Sequence, residues 1–168
     1  MNINIRQEAP ADAPAIGAAT ISAFLHAPHT SHTEQFIVKA LRKAGALSVS
    51  LVAEVDGTLV GHVALSPVSI SDGATGWFGL GPISVAPEYQ GRGIGSRLMQ
   101  EALEALRQRE AAGCVVLGDP AYYSRFGFKP EPGLVLPGVP AEYFQALSLG
   151  QPLPQGTVKY HEAFDAQG

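Results

Sequence analysis

The most constraining feature of this chain is a glycine-rich heptapeptide, Gln90-Gly91-Arg92-Gly93-Ile94-Gly95-Ser96, set between two stretches of different periodicity. Before it, Trp77 to Val85 reads as a strand containing Gly79, Gly81 and Pro82. After it, Ser96 to Ala112 reads as an amphipathic helix. Leu98, Met99, Ala102, Leu103 and Leu106 share one face, with Arg97, Glu101, Glu104 and Gln108 opposite. The chain must therefore pass sharply from strand to helix on residues that tolerate positive φ and let a ligand approach the backbone. Proline cannot donate to a sheet ladder, so pairing should break at Pro82 through a bulge or a splay.

The remaining elements follow from pattern and punctuation. Asn2 to Arg6 alternates as a short strand. Asp12 to Leu25 places Ile16, Thr20, Ala23 and Phe24 at helical spacing, with Asp12 as N-cap and Pro14 in the first turn. His26 to Ser31 contains Pro28 and reads as loop. Ser31-His32-Thr33-Glu34 has the spacing of a capping box, ahead of a helical face of Ile37, Ala40, Leu41 and Ala44 that stops at Gly45. Val49, Leu51, Ala53 and Val55 alternate, Asp56-Gly57 makes a tight turn, and Leu59 to Ile70 returns. Ser71-Asp72-Gly73 then turns toward Trp77.

Beyond the amphipathic helix, Gly113 is the stop, Cys114 to Leu117 a buried strand of parallel type, and Pro120 to Phe126 a short helix. Pro130 to Gln155 reads as loop with one short helix near Ala141 to Ala146, and Thr157 to Tyr160 as a last strand. The order is that of a single α/β domain spanning residues 1–168, with one mixed central sheet.

Charge and composition narrow the partners. The formal net charge of −4 gives no general attraction to nucleic acid or to an anionic membrane. No apolar run is long enough to span a bilayer, and the first residues lack an apolar signal core, which points to the cytoplasm. Cys114 is the single cysteine, so no internal disulfide and no cysteine-based metal site can form. His26, His29 and His32 are evenly spaced, but Pro28 breaks any helix through them and no carboxylate pattern completes a set; we expect no metal.

Amides at a helix start are unpaired and carry partial positive charge, which suits a pyrophosphate, and Arg92 and Ser96 can add side-chain contacts. A Walker A loop would end in Gly-Lys-Ser/Thr, and a Rossmann fingerprint would follow a parallel strand with other glycine spacing; neither pattern is present. The glycines alone leave a tight structural connection equally open.

The surrounding residues carry a resemblance. Leu80 to Gly95, with Gln90, Gly93 and Gly95 in the pattern Gln/Arg-x-x-Gly-x-Gly/Ala, closely resembles the acetyl-CoA motif of the GNAT acetyltransferase superfamily. Tyr123-Ser124-Arg125-Phe126-Gly127-Phe128 is similar to its second hallmark, a tyrosine four residues before Gly-Phe. Gly118 to Tyr123 resembles the YhbS-like branch of that superfamily, and the likeness extends over nearly the whole chain. One departure is that Gly118 and Asp119 stand where many relatives carry an asparagine.

The resemblance implies a single domain whose central sheet is splayed between its fourth and fifth strands, with helices on both faces. It implies acetyl-CoA as co-substrate, its pantetheine arm bonded to the backbone of Ile83 and Val85 with Ser84 among the coenzyme-binding residues, and its pyrophosphate on the amides from Gly91 to Ser96 beside Gln90. The acceptor would be a small-molecule or protein amine, the enzyme a monomer or homodimer, and the reaction a direct attack in a ternary complex. A non-catalytic acetyl-CoA sensor, or a transferase using a longer acyl-CoA or a non-amine acceptor, are the alternatives.

In similar enzymes a tyrosine protonates the departing sulfur, which assigns that role to Tyr123. Tyr122 packs or lines the substrate side. Glu34, on the second helix, binds or deprotonates the amine, or else serves only the capping box. Asp119 is a further base candidate or simply a helix cap. His62 reads as a packed or surface histidine. Cys114, in an apolar strand, reads as an inert thiol rather than an acyl carrier.

Overall fold

The computed structural model describes residues 1–27 and 30–168. The elements are β1 (Ile3–Gln7), α1 (Ala13–Phe24), α2 (Glu34–Lys43), β2 (Val49–Val55), β3 (Thr58–Pro67), β4 (Ser69–Ile70) and β5 (Trp77–Val85). They continue with α3 (Ile94–Gln108), β6 (Gly113–Leu117), α4 (Pro120–Tyr123), β7 (Leu134–Val135), β8 (Phe144–Ser148) and β9 (Gly156–Lys159). The main sheet is ordered β1-β2-β3-β5-β6-β8. β5 and β6 run parallel, and the other neighbours antiparallel.

Alternation along the strands sends two sets of side chains to two faces. Leu51, Val63, Leu65 and Leu80 meet Leu98, Met99 and Leu106 of α3 on one face. On the other, Val52 meets Ile16 of α1 and Val38 of α2. Helices therefore cover both faces, as the expected fold requires.

The break at Pro82 shapes the sheet. Trp77 to Leu80 pair with Gly113 to Val116 of β6, and the pairing ends there. Toward β3, Val63 opposes Ile83 and Leu65 opposes Leu80, so Ala64 alone faces Gly81 and Pro82 in a bulge. Gly81 has φ +138, a backbone setting that disfavours a side chain. Ile83 to Val85 thus stay on β3 and leave β6, opening the sheet between its fourth and fifth strands.

Four expectations are corrected. The amphipathic helix spans Ile94–Gln108, not Ser96 to Ala112, because the chain ends it in a Schellman turn: Ala111 N–H bonds Leu106 C=O and Glu110 N–H bonds Arg107 C=O, with Glu110 at φ +57. The proline-rich segment holds only a 3-10 turn at Ala141–Tyr143, followed by the strand β8. There is a second sheet, β4-β9-β7, over a small core that includes Ile70, Trp77, Leu134 and Val158. The capping box does not form. Thr33 is the N-cap but its side chain makes no capping bond to the helix backbone, Ser31 Oγ pairs with Thr33 Oγ1 at 2.6 Å, and Glu34 Oε2 accepts from Thr30 Oγ1 at 2.6 Å.

Candidate active site

The freed half of β5 and the start of α3 form the walls of a cleft of about 450 Å³. β5 contributes Ile83, Ser84 and Val85, and the following turn contributes Tyr89, Gln90, Gly91 and Gly93. The first turn of α3 adds Ile94, Gly95 and Ser96, and Tyr122 and Arg125 complete the wall.

Gly91 and Gly93 have φ +76 and +82, and nothing lies within 4 Å of where a Cβ would stand at either. The turn therefore presents bare backbone. Gly93 is the N-cap of α3, and the first-turn amides have no carbonyl one turn earlier in the helix. Partial positive charge and pointed N–H donors make this an anion cradle. Gln90 acts locally: its Nε2 donates to Val85 C=O at 2.9 Å and ties the turn to the strand end. Tyr122 reaches the same place, since a Cβ on Gly95 would stand 3.2 Å from its hydroxyl oxygen. Arg125 stacks on Tyr122, its Cζ 4.7 Å from the ring centroid, and brings a cation to the cleft.

Of the residues expected to hold the coenzyme, the cleft gathers Ile83, Ser84, Val85, Gln90, Gly91, Gly93, Ile94, Gly95 and Ser96. Arg92 is not among the wall residues; its Cζ lies over the ring of the wall residue Tyr89, 5.4 Å from the centroid. Tyr89 and Arg125 were not singled out from sequence. Both sit inside the two motifs, but which neighbour of a motif faces a cleft depends on tertiary packing.

Tyr123 is not among the cleft-wall residues. It is half-buried, edge-on to Tyr122 at 5.0 Å and to Phe128 at 6.2 Å. Asp119 positions it by capping α4, its Oδ1 accepting from Ala121 N–H at 2.9 Å. Gly118 makes room, because a Cβ there would fall 2.5 Å from Tyr123 Cε2. Burial pushes the Tyr123 hydroxyl up to about 12, with Tyr122 and Asp119 adding to the shift, so it keeps its proton at neutral pH.

Glu34 opens α2 and is not among the cleft-wall residues; its Oε1 is buried and has no hydrogen-bond partner among the described residues. Cys114 is fully buried and its thiol is pushed far up by desolvation, the inert state expected of it. His26 and His32 are exposed, while His29 and Pro28 lie outside the described residues. His62 is wholly buried and bonded through Nε2 to Ser50 Oγ at 2.7 Å. Ser50 also bonds Glu8, whose carboxylate takes two 2.9 Å bonds from Arg42.

The sequence profile of the acetyltransferase (GNAT) family matches residues 13–128. The uncharacterized N-acetyltransferase YhbS of Escherichia coli (strain K12) is 41% identical over 126 residues, covering 74% of this chain and 72% of that protein. A crystal structure of a GNAT family acetyltransferase from Brucella melitensis in complex with acetyl-CoA superposes with a TM-score of 0.87 at 49% identity, over 98% of this chain and 99% of that one. The crystal structure of YhbS from Escherichia coli in complex with CoA gives a TM-score of 0.84 at 36% identity, over 100% and 94%.

Proposed function

The chain belongs to the acetyltransferase (GNAT) family, and on that footing we propose that it transfers an acetyl group from acetyl-CoA to an amine by direct attack in a ternary complex. The observation that carries this reading is the cleft itself, where an opened strand meets a helix start with bare glycine backbone at the turn. A pyrophosphate suits the amides of Gly91 to Ser96, and Arg125 adds a cation. The extended edge of Ile83 to Val85, unpaired toward β6, suits an amide-bearing arm that bonds like an added strand. The acetyl-CoA bound by the Brucella melitensis relative supports the same choice of ligand.

In the reaction the amine nitrogen attacks the thioester carbonyl carbon, a C–N bond forms and the C–S bond breaks. We assign the protonation of the sulfur to Tyr123, which holds its proton at neutral pH beside the cleft residue Tyr122. Glu34 is the group we assign to binding the acceptor, its carboxylate pairing with a cationic amine through the oxygen that Thr30 does not occupy.

Thermal unfolding with acetyl-CoA tests the reading. Ligand at about 100 times Kd stabilises by about 2.7 kcal/mol, a rise of roughly 5–10 °C for a domain of this size. Gly93→Trp, which fills the cradle from a position open to solvent, is expected to abolish the rise. An unchanged midpoint for the parent chain with acetyl-CoA and CoA would refute coenzyme binding.

A further inference from the structure

We propose that His62 is the base of the acyl transfer, receiving through Ser84 the proton that the amine sheds, while Ser50 and Glu8 hold its ring. This rests on the acetyltransferase reading above. The β3–β5 register pairs His62 directly with Ser84, a residue of the cleft wall. Directly paired residues carry their side chains on one face, with Cβ atoms about 4.5–5.5 Å apart.

The tautomer of His62 follows from its partners. An ionised carboxylate only accepts, so Ser50 donates to Glu8 and must accept from His62 Nε2. The ring proton is thereby fixed on Nε2 and Nδ1 is left bare. Nδ1 and Ser84 Oγ are both buried, and neither has a hydrogen-bond partner among the described residues. A buried polar atom without a partner is unfavourable unless a ligand or a proton uses it. Here two such atoms occupy paired positions beside the cleft.

The charged groups facing the ring are Glu8, 3.9 Å from Nε2, and Arg42, which is paired to Glu8. Burial holds the imidazole neutral, with Glu8 opposing the shift and Arg42 reinforcing it. Ser84 Oγ and His62 Nδ1 are not hydrogen-bonded to each other in this structure, so the relay requires the Ser84 hydroxyl to turn onto Nδ1; as the C–N bond forms, the nitrogen's proton then passes to Ser84 Oγ while the Ser84 hydroxyl proton moves to His62 Nδ1. The C–S bond breaks and the sulfur takes the Tyr123 proton. Once the amide product departs, the proton on Nδ1 returns through Ser84 Oγ to solvent in the cleft, which restores the Nε2–H tautomer that Ser50 and Glu8 hold. Tyr123 recovers its proton from solvent, and the account balances.

The test uses the full chain and His62→Gln, which retains a donor for Ser50 but no base. Thiol release from acetyl-CoA is followed with putrescine, tryptamine and a short peptide bearing a free N-terminus, from acid to alkaline pH. Turnover is expected to fall about 100-fold at neutral pH and to recover as the amine deprotonates itself, with the acetyl-CoA-induced rise in midpoint retained. Turnover within about threefold of the parent at every pH would overturn the assignment. Should His62→Gln not fold, Ser50→Ala is expected to lower turnover in the same pH-dependent way, and parental turnover by it would overturn the assignment equally.

A second readout needs no acceptor: ¹⁵N NMR of histidine-labelled protein should show a bare Nδ1 on His62 that moves when acetyl-CoA binds. A proton on Nδ1 in the free protein, or a resonance indifferent to acetyl-CoA, would also overturn it. If acetyl-CoA does not raise the parent midpoint, it is the acetyltransferase reading that fails, and the NMR tautomer still reports on the hydrogen-bond assignment.

Discussion

Tyr123 is held by three small devices: the missing side chain of Gly118, the Asp119 cap and the edge of Phe128. Removing its hydroxyl in Tyr123→Phe leaves the packing and takes away the proton donor. We expect kcat to fall by about 100-fold or more with the acetyl-CoA-induced rise in midpoint unchanged, measured by thiol release and thermal unfolding. Gly118→Ala acts on the same ring from behind. Its Cβ must push Tyr123 aside, so turnover should fall together with about 1–3 kcal/mol of stability. Cys114 provides the contrast. It is buried and its thiol resists ionisation, so Cys114→Ala should keep turnover, and the native chain should not react with a thiol reagent until it unfolds.

Among the elements, α3 bears most on the site, because its N-terminus makes the cradle and its apolar face anchors it to the sheet. Its C-terminus is less well made: Glu110 occupies the left-handed position where glycine is at ease. Glu110→Gly should stabilise the chain by about 0.5–1 kcal/mol, read as a rise of a few degrees in midpoint with turnover unchanged. The core of α3 was legible from Leu98, Met99 and Leu106 because a full apolar stripe repeats at helical spacing. Its end was not, since a left-handed glutamate carries no sequence signal. β8 was missed for a related reason. Phe144 to Ser148 contains Gln145 and Ala146 and no β-branched residue, and only pairing with β6 makes it a strand. The cradle glycines and the Pro82 break were legible because backbone chemistry alone dictates them. The Glu8–Ser50–His62 contact was not, because it joins residues distant in sequence through a register that only the folded sheet supplies.

At the scale of the whole molecule, the buried ring of His62 ties stability to pH. Its proton affinity drops from an ordinary 6.5 to about 4 on folding, so between these values the unfolded chain binds a proton that the folded chain does not. Stability therefore falls as pH drops through that window. Asp12, lowered to about 2 by Arg6 and then by the Ala9 amide, adds a loss that begins only below its ordinary 3.8. A midpoint-versus-pH series should slope downward from about 6.5 in the parent and stay flat to about 4.5 in His62→Gln, with both falling below that as Glu8 and Glu54, each held below an ordinary 4.5, begin to contribute.

The second sheet and the residues after it return the chain to its beginning. Ile70 pairs with Val158, Ser71 N–H bonds Thr157 C=O, and Ala163 packs on Ile37 and Leu41 of α2. These contacts span most of the sequence, so their loop-closure entropy falls late in folding. During synthesis α2 and β4 must wait, with apolar surface uncovered, until Val158 and Ala163 have left the ribosome. Nascent chains that stop short of them should be protease-sensitive and bound by chaperones.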